Sequence, residues 1–319
     1  MKIKVGIVGY GNLGKAVEEL VILNQKFALV ACFSRRLTNS KFNTKIEPYD
    51  KILDYKNKID VLFLCGSSKC DIEVQAPELS AHFNTINSFD NHKKIHQLLN
   101  TLDPISKINK KVSLTASGWD PGLFSVIRTM FYAISNSEPI TFWGKGISMG
   151  HSDAIRQIAG VEDAIEFTIP NNDAVIMANK GLKNITIPKH IRKCYVVTAK
   201  SRKTNIEKQI KNIPNYFKNQ PTSVEFVSEE KLLKLKSKLS HKGKIITKFI
   251  HSKQTSSKMY FEVSMQSNPM FTASIMIAYA IAVMNLFHKK QYGSYSCLSI
   301  APILLFDPDV HEKIIKKLC

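Results

Sequence analysis

Apolar and polar positions alternate over residues 1–118 in the way expected of strands that are separated by helices. Short apolar runs, typical of strands buried on both faces of a parallel sheet, predict five strands, at 2–8, 28–33, 60–65, 85–89 and 111–115. Helical periodicity follows three of these strands, at 16–21, 73–83 and 92–109. The order predicts an α/β fold whose N-terminal part is a Rossmann-type, doubly wound parallel sheet.

The pattern changes after Gly118, where apolar runs come closer together and turns are more frequent. Leucines spaced among lysines predict an amphipathic helix at 231–238. Five further apolar runs predict a mixed, partly antiparallel sheet, at 165–167, 194–199, 223–227, 244–251 and 259–266. We therefore expect a second, mixed α+β domain at 119–267.

The Asn268-Pro269 pair opens a long helix in the last part of the chain. Its apolar stretch, 273–287, is about 15 residues, which is short of the roughly 20 that cross a bilayer. We expect this helix to be buried in the core rather than to enter a membrane. The segment from about 268 to 319 is therefore predicted to return to the dinucleotide-binding domain at 1–118.

Charge and cysteine content narrow the function classes. The formal net charge is +19, but the lysines are spread thinly, so we expect attraction of anionic cofactors and substrates rather than a nucleic-acid partner. The six cysteines form no CxxC pair and no cluster with zinc spacing, so no metal site is predicted. The first residues lack the long apolar run of a signal peptide, and we expect a cytoplasmic protein with reduced thiols.

A glycine-rich turn follows the first predicted strand and opens the first predicted helix. Its sequence, Gly9-Tyr10-Gly11-Asn12-Leu13-Gly14, fits the G-x-G-x-x-G pattern in the context that the pattern requires. Gly9 permits the tight turn, Gly11 lets the backbone approach a pyrophosphate, and Gly14 lets helix and strand pack closely. Because a helix N-terminus binds phosphate through its N–H groups, this turn predicts a dinucleotide site.

The end of the second predicted strand indicates which dinucleotide binds. An enzyme that uses NAD places a carboxylate there for the ribose 2′-hydroxyl, whereas this chain has Ser34-Arg35-Arg36. Guanidinium groups bind a 2′-phosphate through charge-assisted hydrogen bonds. The cofactor is therefore predicted to be NADP; the alternative is that both arginines are merely exposed residues of a basic protein.

Polar segments follow the third, fourth and fifth predicted strands, at the sheet edge where doubly wound folds bind ligands. Two of these segments carry the acids Asp90 and Asp120. A carboxylate near a substrate amine can hold the ammonium and relay its proton; the alternative for both acids is helix N-capping. The segments Trp143-Gly144 and 149–153 are predicted to form a turn-rich region where the second domain begins. Trp143 is interpreted either as a pocket wall or as an ordinary core residue.

Together these segments make the chain resemble the bacterial meso-diaminopimelate D-dehydrogenases over essentially its whole length. The resemblance lies in residues 8–15, 33–36, 60–65, 90–92, 117–122, 141–144, 150–154, 268–269 and 271–274. It implies NADP-dependent oxidative deamination of the D-centre of meso-2,6-diaminopimelate in lysine biosynthesis, in a homodimer whose second domain binds substrate and forms the dimer contact.

The resemblance also implies roles for individual residues, with Asp90 and Asp120 as the catalytic pair. Cofactor binding is implied for Gly9, Tyr10, Gly11, Asn12, Leu13, Gly14, Ser34, Arg35, Arg36, Cys65, Gly66, Ser67, Ser68, Ser88, Phe89, Asp90, Ser117, Gly118, Trp119, Asp120 and Pro121. Substrate binding is implied for Asp90, Asp120, Trp119, Trp143, Met149, Gly150, Asp153, Thr168, Arg192, His241 and Asn268. By local sequence alone, the last three would be assigned to surface or capping roles.

The chain departs from the family at Met149, where relatives often carry glutamine, and it is shorter at 179–193. Two other functions remain open at this point. One is a different NADP-linked reductase of the same plan, for example one that acts on dihydrodipicolinate. The other is a non-catalytic protein that binds NADP or nucleic acid, which the net charge of +19 would suit.

Overall fold

The computed structural model describes residues 2–36, 39–68, 70–182, 184–199, 203–214, 216–237 and 240–319. The chain divides into two compact units. The first unit contains residues 1–126 and 269–319, and the second contains residues 127–268.

The first unit is built on a seven-stranded sheet in which every pair of neighbouring strands is parallel. Its strands are β1 (Ile3–Val8), β2 (Phe27–Ser34), β3 (Ile46–Pro48), β4 (Val61–Leu64), β5 (Asn84–Asn87), β6 (Val112–Thr115) and β14 (Gly293–Ser296), in the spatial order β14-β6-β5-β4-β1-β2-β3. The predicted Rossmann-type sheet is thus confirmed, and β3 and β14 extend it at both edges.

Helices cover both faces of this sheet, as its parallel strands require. They are α1 (Asn12–Leu23), α2 (Ile72–Ser80), α3 (Ile95–Ile108), α9 (Asn268–His288) and the C-terminal α10 (His311–Leu318). One apolar cluster joins the sheet to α1 and α9. A second cluster joins it to α2 and α3. α4 (Leu123–Ser135) spans the boundary between the units.

The long apolar helix α9 is a core helix, as predicted. Of the helices in the described residues, α9 is the one whose length and composition would allow it to cross a membrane. Its side chains from Ala273 to Leu286 are nevertheless mostly buried in the same cluster as β1 and β4. Their burial against the sheet accounts for the absence of a polar face.

The second unit holds two small sheets that are mixed or antiparallel. The strands β8 (Gly146–Ile147), β9 (Asp163–Pro170), β10 (His190–Val197) and β11 (Thr222–Phe226) form one sheet, in the order β11-β10-β9-β8. The strands β7 (Ile140–Trp143), β12 (His241–Ile250) and β13 (Ser256–Met265) form the other, in the order β13-β12-β7. The predicted mixed α+β arrangement is confirmed.

Besides the part of α4 from Ile127 onward, the described residues of this unit form the helices α5 (Met149–Arg156), α6 (Asn172–Lys180), α7 (Lys203–Asn212) and α8 (Glu229–Lys236). We expected the segment 149–153 to be rich in turns, and that expectation was wrong, because it forms the first part of α5. Ser148 caps this helix by accepting a hydrogen bond from the backbone N–H of His151. The predicted amphipathic helix is α8, with Leu232 buried and Leu233 exposed; its predicted last residue, Lys238, lies outside the described residues.

Candidate functional site

The glycine turn at the end of β1 has the geometry that a dinucleotide requires. Gly9 adopts a φ of 90° and donates its N–H to the carbonyl of Phe33 at 2.9 Å. A Cβ on Gly14 would lie 2.0 Å from the carbonyl oxygen of Gly9, so that only glycine allows α1 to begin here. Gly11 is the N-cap of α1, without a side-chain cap. The N–H groups of the first turn therefore lack intrahelical acceptors and suit an anion.

A cleft of about 700 Å³ opens beside this turn, within the first unit. Nine of the predicted cofactor residues line it, namely Gly9, Tyr10, Gly11, Ser34, Arg35, Arg36, Cys65, Gly66 and Ser67. The cleft is also lined by residues that sequence reasoning missed, namely Val8, Lys15, Phe33, Tyr49, Asp71 and Gln75. Asn12, Leu13 and Gly14 continue from the turn into α1 and do not line the cleft.

The two arginines lie at the rim of this cleft. Arg35 forms an ion pair with Asp71, at 2.7 Å between Nη2 and Oδ1. Ser34 fixes the start of this segment, because its hydroxyl donates to the carbonyl of Arg36 at 2.8 Å and accepts the Arg36 N–H at 3.2 Å. Both guanidinium groups are exposed, so both can reach a phosphate in the cleft.

Asp71, the partner of Arg35, organises the neighbouring part of the cleft lining. Its Oδ2 accepts the backbone N–H of Ser67 at 2.8 Å, which holds the turn after β4. Gln75, one helical turn further on, has a buried Oε1 without a hydrogen-bond partner. Unpaired buried acceptors are rare in proteins, and this one suits a donor on a bound ligand. The cleft therefore fits a dinucleotide with a 2′-phosphate.

Two other side chains of the cleft stay uncharged. Tyr10 donates its hydroxyl to the buried carboxylate of Glu18; burial, together with Glu18, raises the pKa of Tyr10 to about 12. Burial also raises the pKa of the Cys65 thiol, so that it remains protonated. Cys65 is thus a small packing residue rather than a nucleophile.

Asp90 and Asp120 follow the neighbouring strands β5 and β6. Both the N–H and the hydroxyl of Ser117 donate to the carbonyl of Asn87, at 3.0 and 2.8 Å, which ties the two segments together. A Cβ on Gly118 would lie 3.1 Å from the Cβ of Ser88. The structure thus brings the segments that carry both acids into direct contact.

The structure tests the capping alternative for Asp90, which does not cap a helix. Asp90 is exposed, and its N–H donates to the hydroxyl of Ser68 at 3.2 Å, while Lys94 is the N-cap of α3. Asp120 is half-buried and lies before the turn that precedes α4. The capping alternative is therefore wrong for Asp90 and stays open for Asp120, and both aspartates remain candidates for a role in chemistry.

Two aromatic residues predicted near these acids belong to the core. The ring of Phe89 is completely buried in the cluster with α2 and α3. Trp119 is 9% exposed and packs edge-on against Phe124, with ring centroids 5.1 Å apart. Any ligand contact by Phe89 must therefore come from its backbone. Pro121 accepts the Gly118 N–H through its carbonyl, which closes the turn after Asp120.

In the second unit, Thr168 and Arg192 face each other on the antiparallel strands β9 and β10. The Nη1 of Arg192 donates to the hydroxyl of Thr168 at 2.5 Å and lies 3.6 Å from the carboxylate of Glu166. The Nε of Arg192 is buried and has no partner. This guanidinium, 13% exposed at its side chain, keeps a donor for an anion.

Trp143, at the end of β7, stacks on His190 with ring centroids 5.3 Å apart. Its backbone N–H donates to the Nε2 of His190 at 2.9 Å. Burial and the Arg192 charge lower the pKa of His190 to about 3, so this acceptor stays neutral. Trp143 is half-buried, which fits a wall residue better than a closed core position.

His241 is buried at the start of β12. Its Nδ1 donates to the carbonyl of Lys242 at 2.8 Å, which leaves Nε2 as the acceptor of the neutral ring. Burial lowers the pKa of His241. A Cβ on Gly146 would lie 2.3 Å from the His241 ring, so glycine is needed to seat it. We expected nothing of His190 from the sequence, because no local motif marks it.

The remaining predicted substrate residues lie at helix starts. Met149 and Gly150 are exposed at the first turn of α5, and Asp153 on the same helix forms an ion pair with Arg156. Asn268 is the first residue of α9. Met149 is thus accessible to solvent, whereas the Asp153 carboxylate is paired with Arg156 of the same helix.

Known proteins similar to this chain match it in both units. Residues 118–267 match the model of the diaminopimelic acid dehydrogenase C-terminal domain. Meso-diaminopimelate D-dehydrogenase of Ureibacillus thermosphaericus is 39% identical over 324 residues, which cover 99% of each chain. The structure of Corynebacterium glutamicum DAP dehydrogenase in complex with DAP superposes with a TM-score of 0.94, at 34% identity, and covers 100% of this chain and 99% of that one. An engineered D-amino acid dehydrogenase bound to NADP⁺ gives a TM-score of 0.90, at 32% identity, with 100% of both chains covered.

Proposed function

Because the chain belongs to the meso-diaminopimelate D-dehydrogenase family, we propose that it oxidises the D-centre of meso-2,6-diaminopimelate with NADP⁺. The overall reaction consumes water and releases L-2-amino-6-oxopimelate, ammonium, NADPH and a proton. The observation that carries the proposal is an arginine-lined dinucleotide cleft in a chain whose second unit matches the diaminopimelate dehydrogenase C-terminal domain. The product is a precursor in lysine biosynthesis.

The first unit binds the cofactor. NADP⁺, when bound, supplies the hydride acceptor. The N–H groups at the start of α1 suit its pyrophosphate, and Arg35 and Arg36 suit its 2′-phosphate. The unpartnered Oε1 of Gln75 offers a further acceptor in the same cleft. We propose that cofactor binding also involves the backbone of the predicted segments 65–68, 88–90 and 117–121.

Asp90 and Asp120 bind the ammonium group at the reacting carbon and accept its proton. A protonated ammonium has no lone pair, so the substrate must lose a proton before its carbon can give up hydride. A carboxylate beside the ammonium binds it and accepts this proton, directly or through water. The exposed Asp90 and the half-buried Asp120 lie on segments in contact with each other, which favours a shared role.

The second unit binds the end of the substrate that does not react. Arg192 offers its N–H donors to a carboxylate, and Thr168 holds the Arg192 guanidinium by accepting from it. The neutral ring of His241 packs against Gly146, which pairs with Thr168. Trp143 supplies an apolar wall beside them. We propose that these contacts hold the L-centre and so decide which of the two amino-acid ends is oxidised, since specificity is a difference of fits.

We also propose that the protein is a cytoplasmic homodimer. The family resemblance supports this assembly, and α4 carries two large apolar side chains one turn apart on the same face, Met130 and Ile134, that are each more than half exposed. Exposed apolar patches commonly mark protein contacts. Analytical ultracentrifugation should give a mass near twice 36.0 kDa; a monomer would contradict the assembly without touching the proposed reaction.

The test of the reaction is NADPH formation by the purified protein with the meso, LL and DD isomers of diaminopimelate, each with NADP⁺ and with NAD⁺. We expect turnover with the meso isomer and NADP⁺, and little with the LL isomer or with NAD⁺. Tight NADP⁺ binding without turnover on any isomer would refute the proposal. Reduction of dihydrodipicolinate would then favour another NADP-linked reductase, and inactivity would favour a non-catalytic NADP-binding protein.

A further inference from the structure

Glu166 is a carboxylate in the middle of β9 that is completely buried (0% exposed). Its two oxygens accept the hydroxyl of Thr168, at 3.2 and 3.1 Å, and one of them lies 3.6 Å from Nη1 of Arg192. Thr168 in turn accepts from Arg192 at 2.5 Å. The hydroxyl therefore links the carboxylate to the guanidinium, and the three groups form one buried cluster.

The cluster lies where one face of the sheet changes from apolar to polar. Ala164 and Glu166 share a face of β9, and Cys194 and Arg192 share the corresponding face of β10. Ala164 and Cys194 belong to an apolar cluster with α5 and α7. Glu166 is thus enclosed by packing at one end and by Arg192 at the other.

The charged and titratable groups around Glu166 come from the packed elements in turn. β10 contributes His190, Arg192 and Cys194. β8 contributes only Gly146–Ile147, which does not titrate but has the ring of His241 packed against Gly146. α5 contributes His151, whose ring is hydrogen-bonded to Ser148. It also contributes Ser152, whose hydroxyl accepts the Glu166 N–H at 2.9 Å.

The remaining neighbours of β9 do not offset this charge. Arg156 of α5 donates to the Ala164 carbonyl and pairs with Asp153 and Asp163. α8 packs on the opposite face, where Leu232 joins the apolar cluster of Ile165. Among the described residues, Arg192 is therefore the cation that faces the Glu166 carboxylate.

The pKa values of these groups differ so much that one of them changes charge near neutral pH while the others do not. Burial raises the pKa of Glu166 to about 7, although Arg192 and Thr168 act to lower it. Burial and the Arg192 charge lower the pKa of His151 and of His190 to about 3. Burial raises the pKa of Cys194 as well. Between pH 6 and 8, roughly one pH unit on either side of that value, Glu166 is thus the group of this cluster that changes charge.

We propose that Glu166 takes up a proton when Arg192 binds a carboxylate, and so couples the affinity for the substrate's anionic end to pH. With Glu166 ionised, the cluster with Arg192 is neutral; with Glu166 protonated, it carries one positive charge, which an anion prefers. The proton comes from solvent and returns to it on release. The inference rests on the proposed function in that it takes Arg192 as the carboxylate ligand, and it makes Glu166 a positioning residue that acts through Arg192.

The direction of the pH dependence follows from the linkage between proton binding by Glu166 and anion binding by Arg192. An anion on Arg192 repels the ionised carboxylate and favours its protonated form, so the bound state holds more protons above neutral pH. The dissociation constant should then rise with pH above neutrality, by up to about tenfold per pH unit for one linked proton. A glutamine at this position keeps the shape and a hydrogen-bonding amide but cannot titrate.

The experiment compares the KM of meso-diaminopimelate for the wild type, Glu166→Gln and Glu225→Gln across the neutral to mildly alkaline range. Glu225 is an exposed glutamate on β11 of the same sheet, and its variant should follow the wild type. Taking ratios of KM at each pH removes the titration of the substrate itself. We expect the wild-type KM to rise relative to that of Glu166→Gln by about tenfold over the range, with a smaller effect on kcat; parallel profiles would overturn the inference.

Calorimetry on the wild-type protein gives a second readout that needs no stable variant. Meso-diaminopimelate is titrated into protein saturated with NADPH, which prevents turnover, in two buffers that differ in ionisation enthalpy. Uptake of a fraction of a proton above neutral pH is expected, and none would refute the coupling. Arg192→Met separates the two proposals, because an unchanged KM in that variant would remove the carboxylate site itself, whereas a raised KM with no proton uptake in the wild type would overturn only the role of Glu166.

Discussion

Removing the Arg35 side chain should weaken the binding of NADPH much more than the binding of NADH. Arg35 lies at the rim of the dinucleotide cleft, with its side chain 68% exposed and its guanidinium on Asp71. The two nucleotides differ only in the 2′-phosphate. Arg35→Ala therefore removes a contact that NADPH makes and NADH lacks, and the rest of the cleft is unchanged.

The magnitude is set by two opposing contributions. A hydrogen bond to a charged group is worth about 1.5–3 kcal/mol. To bind the phosphate, Arg35 must give up its pair with Asp71, and such exposed pairs are worth only about 0.2–1 kcal/mol because water screens them. The net loss of roughly 0.5–2.8 kcal/mol corresponds to a rise in the NADPH dissociation constant of about 2- to 100-fold.

The assay is a fluorescence titration of NADPH and NADH against the wild type and the variant at one fixed, moderate salt concentration. Lys107→Ala is a matched control, since Lys107 is also an exposed cation paired with an aspartate, Asp103, but lies on α3 outside the cleft lining. Its dissociation constants should equal those of the wild type. Equal weakening of both nucleotides by Arg35→Ala, or no weakening of NADPH, would refute a 2′-phosphate site at Arg35.

Two further substitutions test other parts of the site. Asp120→Asn should lower kcat at least about tenfold, as loss of general acid–base catalysis does, with an unchanged thermal midpoint; unaltered turnover would remove Asp120 from the mechanism. Gly14→Ala should destabilise the fold by about 1–3 kcal/mol, because the new Cβ would lie 2.0 Å from the Gly9 carbonyl oxygen. It should weaken NADPH and NADH alike, and a wild-type melting temperature would show that the turn tolerates a side chain.

The first sheet was largely predictable because its central strands are buried on both faces. β4 is a continuous apolar run, Val-Leu-Phe-Leu, and β1 is apolar apart from Lys4 and Gly6, so that both strands can be recognised without knowledge of the rest of the fold. β14 was missed for the opposite reason. Its sequence, Gly-Ser-Tyr-Ser, has no apolar run, and it becomes a strand only because it pairs with β6 at the sheet edge.

The start of the second unit was misread through its composition. The segment 149–153 contains glycine, serine and aspartate, all of which are common in turns, yet it forms the first part of α5. Ser148 was the available signal, since a serine that accepts from the third residue beyond it is a frequent helix cap. The buried Ile155, one turn further on, completes the amphipathic pattern.

The sequence predicts the dinucleotide site at the glycine turn more directly than the proposed carboxylate site at Arg192. The reason is that the two sites are built differently. The glycine turn suits a phosphate through its backbone geometry, which constrains residues close together along the chain and therefore leaves a motif. The proposed carboxylate site depends on Arg192, whose partners Glu166 and Thr168 are brought to it only by the register of β9 and β10. Such a site leaves one local signal, a glutamate inside an apolar strand. Because burying a carboxylate is unfavourable unless a partner compensates it, Glu166 by itself indicates that a cation must lie on a neighbouring strand.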